Sequence, residues 1–153
     1  MNKIQRKVNM RLYDVFQFVA DETIRSSLIK DRLDRIAGCI SSERKTKEVL
    51  GAYEMAYDAY GALRYESSTG VGSLPDTIKV EFGLQLAQYF LVIGQAFEDQ
   101  HPNDFNRQLN CYKRCTELSP NHTPTALAAI ERLDSLRTER TNNPAHSLYS
   151  CNR

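Results

Sequence analysis

The chain carries no G-x-G-x-x-G and no G-x4-G-K-[ST] sequence, and Gly70 and Gly72 lack the strand, helix and lysine that a phosphate loop needs, so those nucleotide-binding devices are excluded. Histidine is scarce. Only His101, His122 and His146 could act as base to a thiol or hydroxyl nucleophile, and all three fall in predicted turns or in the C-terminal tail. Long apolar runs are missing: the longest uncharged stretch, Phe82 to Phe97, holds 16 residues including Gln85, Gln88 and Gln95, too short and too polar to span a bilayer. The four cysteines, Cys39, Cys111, Cys115 and Cys151, are too few for a disulfide scaffold in a chain this long, which points to a reducing, cytoplasmic setting. No charge sign dominates either. With 20 basic against 19 acidic residues the chain lacks the positive field that nonspecific nucleic-acid binding demands.

What remains is a globular composition, 41% hydrophobic and 25% charged, over 153 residues, the length of one domain. A chain of this size buries about 70% of its unfolded surface, enough for one core without metal or disulfide. Residues 1–50 hold 11 basic against 7 acidic residues and residues 51–153 hold 9 against 12, so an anionic partner belongs at the N-terminal end. A cleaved secretion signal is disfavoured there because the apolar patch from Val15 to Ala20 is short and interrupted by Gln17; an amphipathic presequence stays open, since Ile4, Val8 and Leu12 flank the basic stripe Lys3, Lys7 and Arg11.

Periodicity predicts an all-α fold of about six antiparallel helices, a bundle or a short repeat array. The first helix covers about 3–20. A second carries Ile29, Leu33, Ile36 and Ile40 and stops near Gly38 and the Ser41-Ser42 pair, and a third carries Val49, Tyr53, Ala56, Tyr57, Tyr60 and Leu63. Residues 67–73, rich in Ser and Gly, form the loop that joins halves 1–66 and 74–140 of one helical domain. After Pro75, residues 78–86 alternate as a strand would, but the apolar pattern runs on for about 20 residues with no second strand to pair with, so helix is chosen. That helix has two apolar stripes: Ile78, Phe82, Leu86, Tyr89, Ile93 and Phe97, and Val80, Leu84, Ala87 and Leu91, which describes burial on two sides. His101 to Asp104 is a turn, with Asn103 or Asp104 as the cap of a helix that ends at Pro120. Thr123-Pro124 starts a last helix carrying Ala126, Leu127, Ile130, Leu133 and Leu136, and 141–153 reads as a disordered tail.

Phe90, Ile93, Gly94 and Phe97, followed by Gln108, Tyr112 and Pro120, set out a row in which residues 87–122 resemble one tetratricopeptide repeat. Two departures stand out: the connecting turn is about two residues longer, and Gln108 replaces the small alanine that lets such helices close. The resemblance implies a peptide-binding groove whose wall would be Gln88, Leu91, Gln95 and Glu98. No Lys, Arg or Asn stands at those positions, so the cationic clamp some relatives use is not implied.

Other constellations are weighed against ordinary structure. Cys111 and Cys115, one helical turn apart, with His101 and His122, hold zinc-type donors but lack finger spacing, so buried cysteine is preferred and neither metal nor cofactor is expected. Glu98-Asp99 and Glu131 with Asp134 read as solvated carboxylates, and no enzyme is expected. Tyr53, Tyr57 and Tyr60 form a stripe that could line a partner groove but more commonly belongs to a core. Arg44, Lys45 and Lys47, with Lys3, Arg6, Lys7 and Arg11, could meet phosphate, although Asp31, Asp34, Glu43 and Glu48 cancel much of that charge. The reading is a non-enzymatic module (adaptor, chaperone or inhibitory, effector-like protein) that binds a protein or peptide, possible as a homodimer. Its partner-facing residues are Gln88, Leu91, Gln95, Glu98, Tyr53 and Tyr57. Nucleic-acid or anionic-surface binding through the basic N-terminal helices is the alternative.

Overall fold

A computed structural model of the protein describes residues 11, 12, 15, 21–41, 45–69, 74–119 and 124–142. Its elements are α1 (Glu22–Ser41), α2 (Lys45–Thr69), α3 (Asp76–Gln100), α4 (Phe105–Leu118) and α5 (Pro124–Asn142), with no strand among the described residues. The fold is therefore all-α. The helix expected over 3–20 lies outside the described residues except at positions 11, 12 and 15, and the chain segments 70–73 and 143–153 lie outside them entirely.

In α1 the stripe Ile29, Leu33 and Ile36 is fully buried, and Asp21 ahead of it accepts a hydrogen bond from the Ile24 N–H at 3.0 Å, satisfying one of the free donors of the first turn. Along α2 the buried positions Ala52, Ala56, Ala59 and Ala62 make a narrow seam that admits a close neighbour. Asp58 ties this helix to what precedes it, accepting from Arg32 of α1 at 2.8 Å and from the Leu12 N–H at 2.9 Å. The end of α2 corrects the sequence reading: residues 67–69, assigned to the loop, continue the helix. Ser and Thr cost only about half a kcal/mol each relative to Ala once a helix is nucleated, so two serines and a threonine do not stop it.

The strand-like run 78–86 is helix. Pro75 sits at the N-cap of α3, with its carbonyl accepting from the Ile78 and Lys79 N–H groups at 3.0 Å. Helix α3 packs on α1, α2 and α4 and buries Leu86, Phe90, Ile93 and Phe97 completely. Burial on two sides is not what forms, however. Of the second stripe Ala87 is buried and Leu91 half-buried, but Val80 is 61% and Leu84 43% exposed, because no described element covers the N-terminal half of that face.

Helix α4 lies closest to α3. Gly94 makes the approach possible: a Cβ there would stand 2.9 Å from Tyr112 Cε1, too short for a real contact, and 3.1 Å from Cys111 Cβ, tight enough that the neighbour would have to give way. The turn from His101 to Asp104 is closed by hydrogen bonds from the His101 N–H to the Phe97 carbonyl at 2.8 Å and from the Asp104 N–H to the His101 carbonyl at 3.0 Å. Asp104 then caps α4, accepting from the Arg107 N–H at 3.2 Å. Gln108 is buried, and its amide donates to the carbonyl of His101, the residue that follows α3, at 2.7 Å, giving that carbonyl a second donor beside the Asp104 N–H. Helix α5 rests on α4 through Ala126, Ala129 and Leu133, with Pro124 in its first turn. It runs through Thr141 and Asn142, two residues assigned from sequence to the tail.

Candidate partner-binding surface

The tyrosines of α2 are committed to the interior by geometry. Tyr53 meets Phe97 edge-on at 5.4 Å between ring centroids, Tyr57 meets Phe90 at 5.3 Å, and Tyr53 and Tyr57 lie 4.8 Å apart. Their hydroxyls reach the rim, where α4 receives them: Asn110 donates to the Tyr53 hydroxyl at 3.3 Å, and the Tyr60 hydroxyl donates to Glu117 at 2.6 Å. Burial, with the adjacent Tyr53 phenol, pushes the Tyr57 hydroxyl above its ordinary range, so it stays neutral. Tyr53 and Tyr57 thus form a half-buried aromatic ladder between α2 and α3.

Gln88, Leu91, Gln95 and Glu98 share one side of α3 but have different surroundings. Gln88 and Gln95 are exposed and Leu91 packs its edge on the core. Glu98 is engaged: it accepts from Tyr112 of α4 and, in two hydrogen bonds at 2.5 and 3.1 Å, from Arg132 of α5. Desolvation pushes its carboxyl up, yet the hydrogen bonds from Arg132 and Tyr112 prevail and hold it below the usual carboxylate range. Sequence reasoning left out two further members of this side. At helical spacing Val80 and Leu84 extend the same row toward the N-terminus of α3, giving Val80, Leu84, Gln88, Leu91 and Gln95 a continuous band, and Val92 adjoins it, 38% exposed. The signal was present in the second apolar stripe, which was read as buried.

Beside the band, α1, α2 and α3 enclose a cleft of about 190 Å³. Cys39 and Ile40 end one wall, Val49 and Ala52 form another, and Val92, Ala96, Asp99 and Gln100 of α3 complete it. Its lining is apolar except for Gln95, Asp99 and Gln100, and Gln100 Oε1 is buried without a hydrogen-bond partner among the described residues. The outward residues of α3 include two exposed acids, Glu81 and Asp99, near opposite ends of the band. The nearby cation, Lys79, is paired with Asp76 at 3.1 Å.

The remaining candidates are dispersed or out of view. Lys3, Arg6, Lys7 and Arg44 lie outside the described residues, as do the side chains of Lys45 and Lys47; Arg11 is exposed. Cys111 and Cys115 are buried against α3, where desolvation pushes the Cys111 thiol far up and the Cys115 thiol up to about 11, so neither is a thiolate at neutral pH. His101 packs on Phe97, while His122 and His146 lie outside the described residues. Among the described residues no three His, Cys, Asp or Glu side chains gather as a metal site, and no helix is long and apolar enough to cross a membrane. No protein family, no curated protein and no solved structure matches this chain.

Proposed function

We propose that the protein is a non-enzymatic interaction module that docks a partner protein or peptide on the outward band of α3. The observation that carries this reading is the uncovered apolar row on the most centrally packed helix. Val80, Leu84 and Val92 stand open to solvent on one helix, and a run of exposed large apolar side chains marks binding surfaces in soluble proteins. The adjoining cleft deepens the band and supplies a buried acceptor, Gln100 Oε1. The partner we infer is a segment with apolar residues for the band and Lys or Arg for its ends, because Glu81 and Asp99 flank it and no free cation of α3 faces them. A second copy of the chain docked antiparallel on the same band would bring these acidic ends together, which disfavours self-association through this face.

We also read α3 and α4 as a tetratricopeptide-like hairpin. Phe90, Ile93, Gly94, Phe97, Gln108 and Tyr112, the six described residues of the motif row, are all buried, and the Tyr112 ring rests on Gly94, which supports that reading. The small alanine such repeats use is replaced here by a residue with a different task, since Gln108 ties α4 to the turn that follows α3.

Affinity capture from a cell extract with wild type, a Val80→Asp/Leu84→Asp double variant and a Leu127→Asp control tests the docking surface. All three positions are exposed, so the fold tolerates the charges. Loss of one defined protein from the double variant, with retention by the control, is the expected result. Equal capture by all three, or recovery only of nucleic acid in a strongly salt-dependent manner, would refute the reading in favour of another surface.

A further inference from the structure

On the side of α3 turned away from the band, the ends of α2, α3 and α4 leave a second cleft, of about 430 Å³, lined by Tyr60, Leu63, Arg64, Lys79, Gly83, Glu117 and Leu118. From its charges and its walls we infer that this cleft binds a small amphipathic monoanion, an organic carboxylate whose apolar body rests on Leu63 and Leu118. This inference is independent of the docking surface.

The charges are set by who is already paired. Glu117 is satisfied, accepting from the Tyr60 hydroxyl at 2.6 Å and from Arg114 at 2.7 Å. The Tyr60 hydroxyl is saturated too, since it donates to Glu117 and accepts from Arg114 at 2.9 Å and Arg64 at 3.2 Å. Arg64 is different. Among the described residues it interacts with Tyr60 alone, through that hydrogen bond and over the ring face at 5.6 Å, and has no carboxylate partner. A guanidinium offers five N–H donors, so most of those on Arg64 remain for a ligand. Among the described residues Lys79 is held only by Asp76, whose side chain is 95% exposed; such a solvated pair is weak and exchanges readily for a better-placed anion. Arg64, Lys79 and Arg114 against Asp76 and Glu117 leave one positive charge, which suits a single negative charge and no more.

The walls choose the rest of the ligand. Leu63 is buried and Leu118 half-buried, so their exposed edges present hydrocarbon to the cleft. Gly83 contributes empty space: a Cβ there would touch only Leu118 Cδ2, at 3.9 Å, an ordinary contact. A carboxylate on Arg64 and Lys79 with its chain along Leu118 uses both halves, whereas a dianion would meet Glu117 with surplus charge.

Calorimetric titration of the full chain with octanoate, octanol, acetate and inorganic phosphate, in wild type, Arg64→Ala and Gly83→Leu, tests the assignment. We expect saturable binding of octanoate, weakened by salt, and weaker by at least about tenfold for the other three probes, about the effect of losing one interaction of 1.4 kcal/mol. Arg64→Ala should lower octanoate affinity by about tenfold or more, and Gly83→Leu, whose side chain would fill the cleft, should abolish binding while the helical spectrum is kept. Absence of saturable octanoate binding overturns the proposal. So does equal binding of octanol, which would make the charge irrelevant, equal binding of acetate or phosphate, which would make the apolar wall irrelevant, or octanoate affinity unchanged in both variants. Should Gly83→Leu fail to fold, the exposed Arg64→Ala variant decides alone.

Discussion

Two glycines on α3 face opposite fates when given a methyl group. At Gly94 the new Cβ would press on Tyr112 and on Cys111 Cβ, and the latter belongs to a helix that cannot yield without moving as a whole. Gly94→Ala should therefore cost about 1–3 kcal/mol net, the range for overpacking, even though alanine favours helix by about 1 kcal/mol. Gly83→Ala meets nothing nearer than 3.9 Å and should stabilise by about 0.5–1 kcal/mol. Urea denaturation of both variants checks the pair. A second comparison belongs to Leu91 and Ile93, which point about 200° apart around the axis. Ile93 is fully buried and its replacement by Ala should cost about 2–5 kcal/mol; Leu91, packed at its edge only, should lose about 1 kcal/mol or less. Equal losses would mean that the band bearing Leu91 is part of the core and would remove it as a docking surface.

Among the elements, α5 has the least to hold it, resting on α4 and reaching α3 through Arg132 and Glu98. Because the folded state holds the Glu98 carboxyl below its ordinary value of 4.5, the stabilisation it brings is full above that pH and fades as the pH falls through the lower folded value. Arg132 is about half exposed, so the effect should stay below about 1 kcal/mol. Melting curves between about pH 3 and pH 7 should fall less steeply in acid for Glu98→Gln than for wild type, and parallel curves would show that the pair contributes nothing. Helix positions were legible in the sequence because the apolar period, Pro75, the Asp104 cap and Pro124 all act locally. The end of α2 was not, since serine and threonine favour caps without forbidding helix. Nor was the open face of α3: a stripe shows that a side chain is apolar, and only the placement of other helices determines whether anything covers it. Helical spacing puts Glu98 on the same side of α3 as Leu91, but its capture by α5 depends on a residue 34 positions away.

For the whole molecule, the thiols give a direct measure of how closed the interior is. Cys111 and Cys115 are buried and protonated, so alkylation followed by peptide mapping should label them only after unfolding, and EDTA should leave the melting temperature unchanged. Rapid labelling of either in the native protein, or melting at lower temperature with chelator, would contradict this packing. The far-UV circular dichroism of the native chain should be helical, with no β-sheet component, and the helical signal should be lost in the thermal transition. The last consequence concerns the buried amide of Gln108. By bonding to the His101 carbonyl in the turn after α3 while sitting in the first turns of α4, it fastens the hairpin at its hinge, as Gly94 and Tyr112 fasten it midway. The two helices should then open to solvent as a single foldon. In native-state hydrogen exchange the amides of α3 and α4 should share one protection free energy near that of global unfolding, with α5 exchanging earlier, and Gln108→Ala should split that shared value by loosening the tie between α4 and the turn after α3.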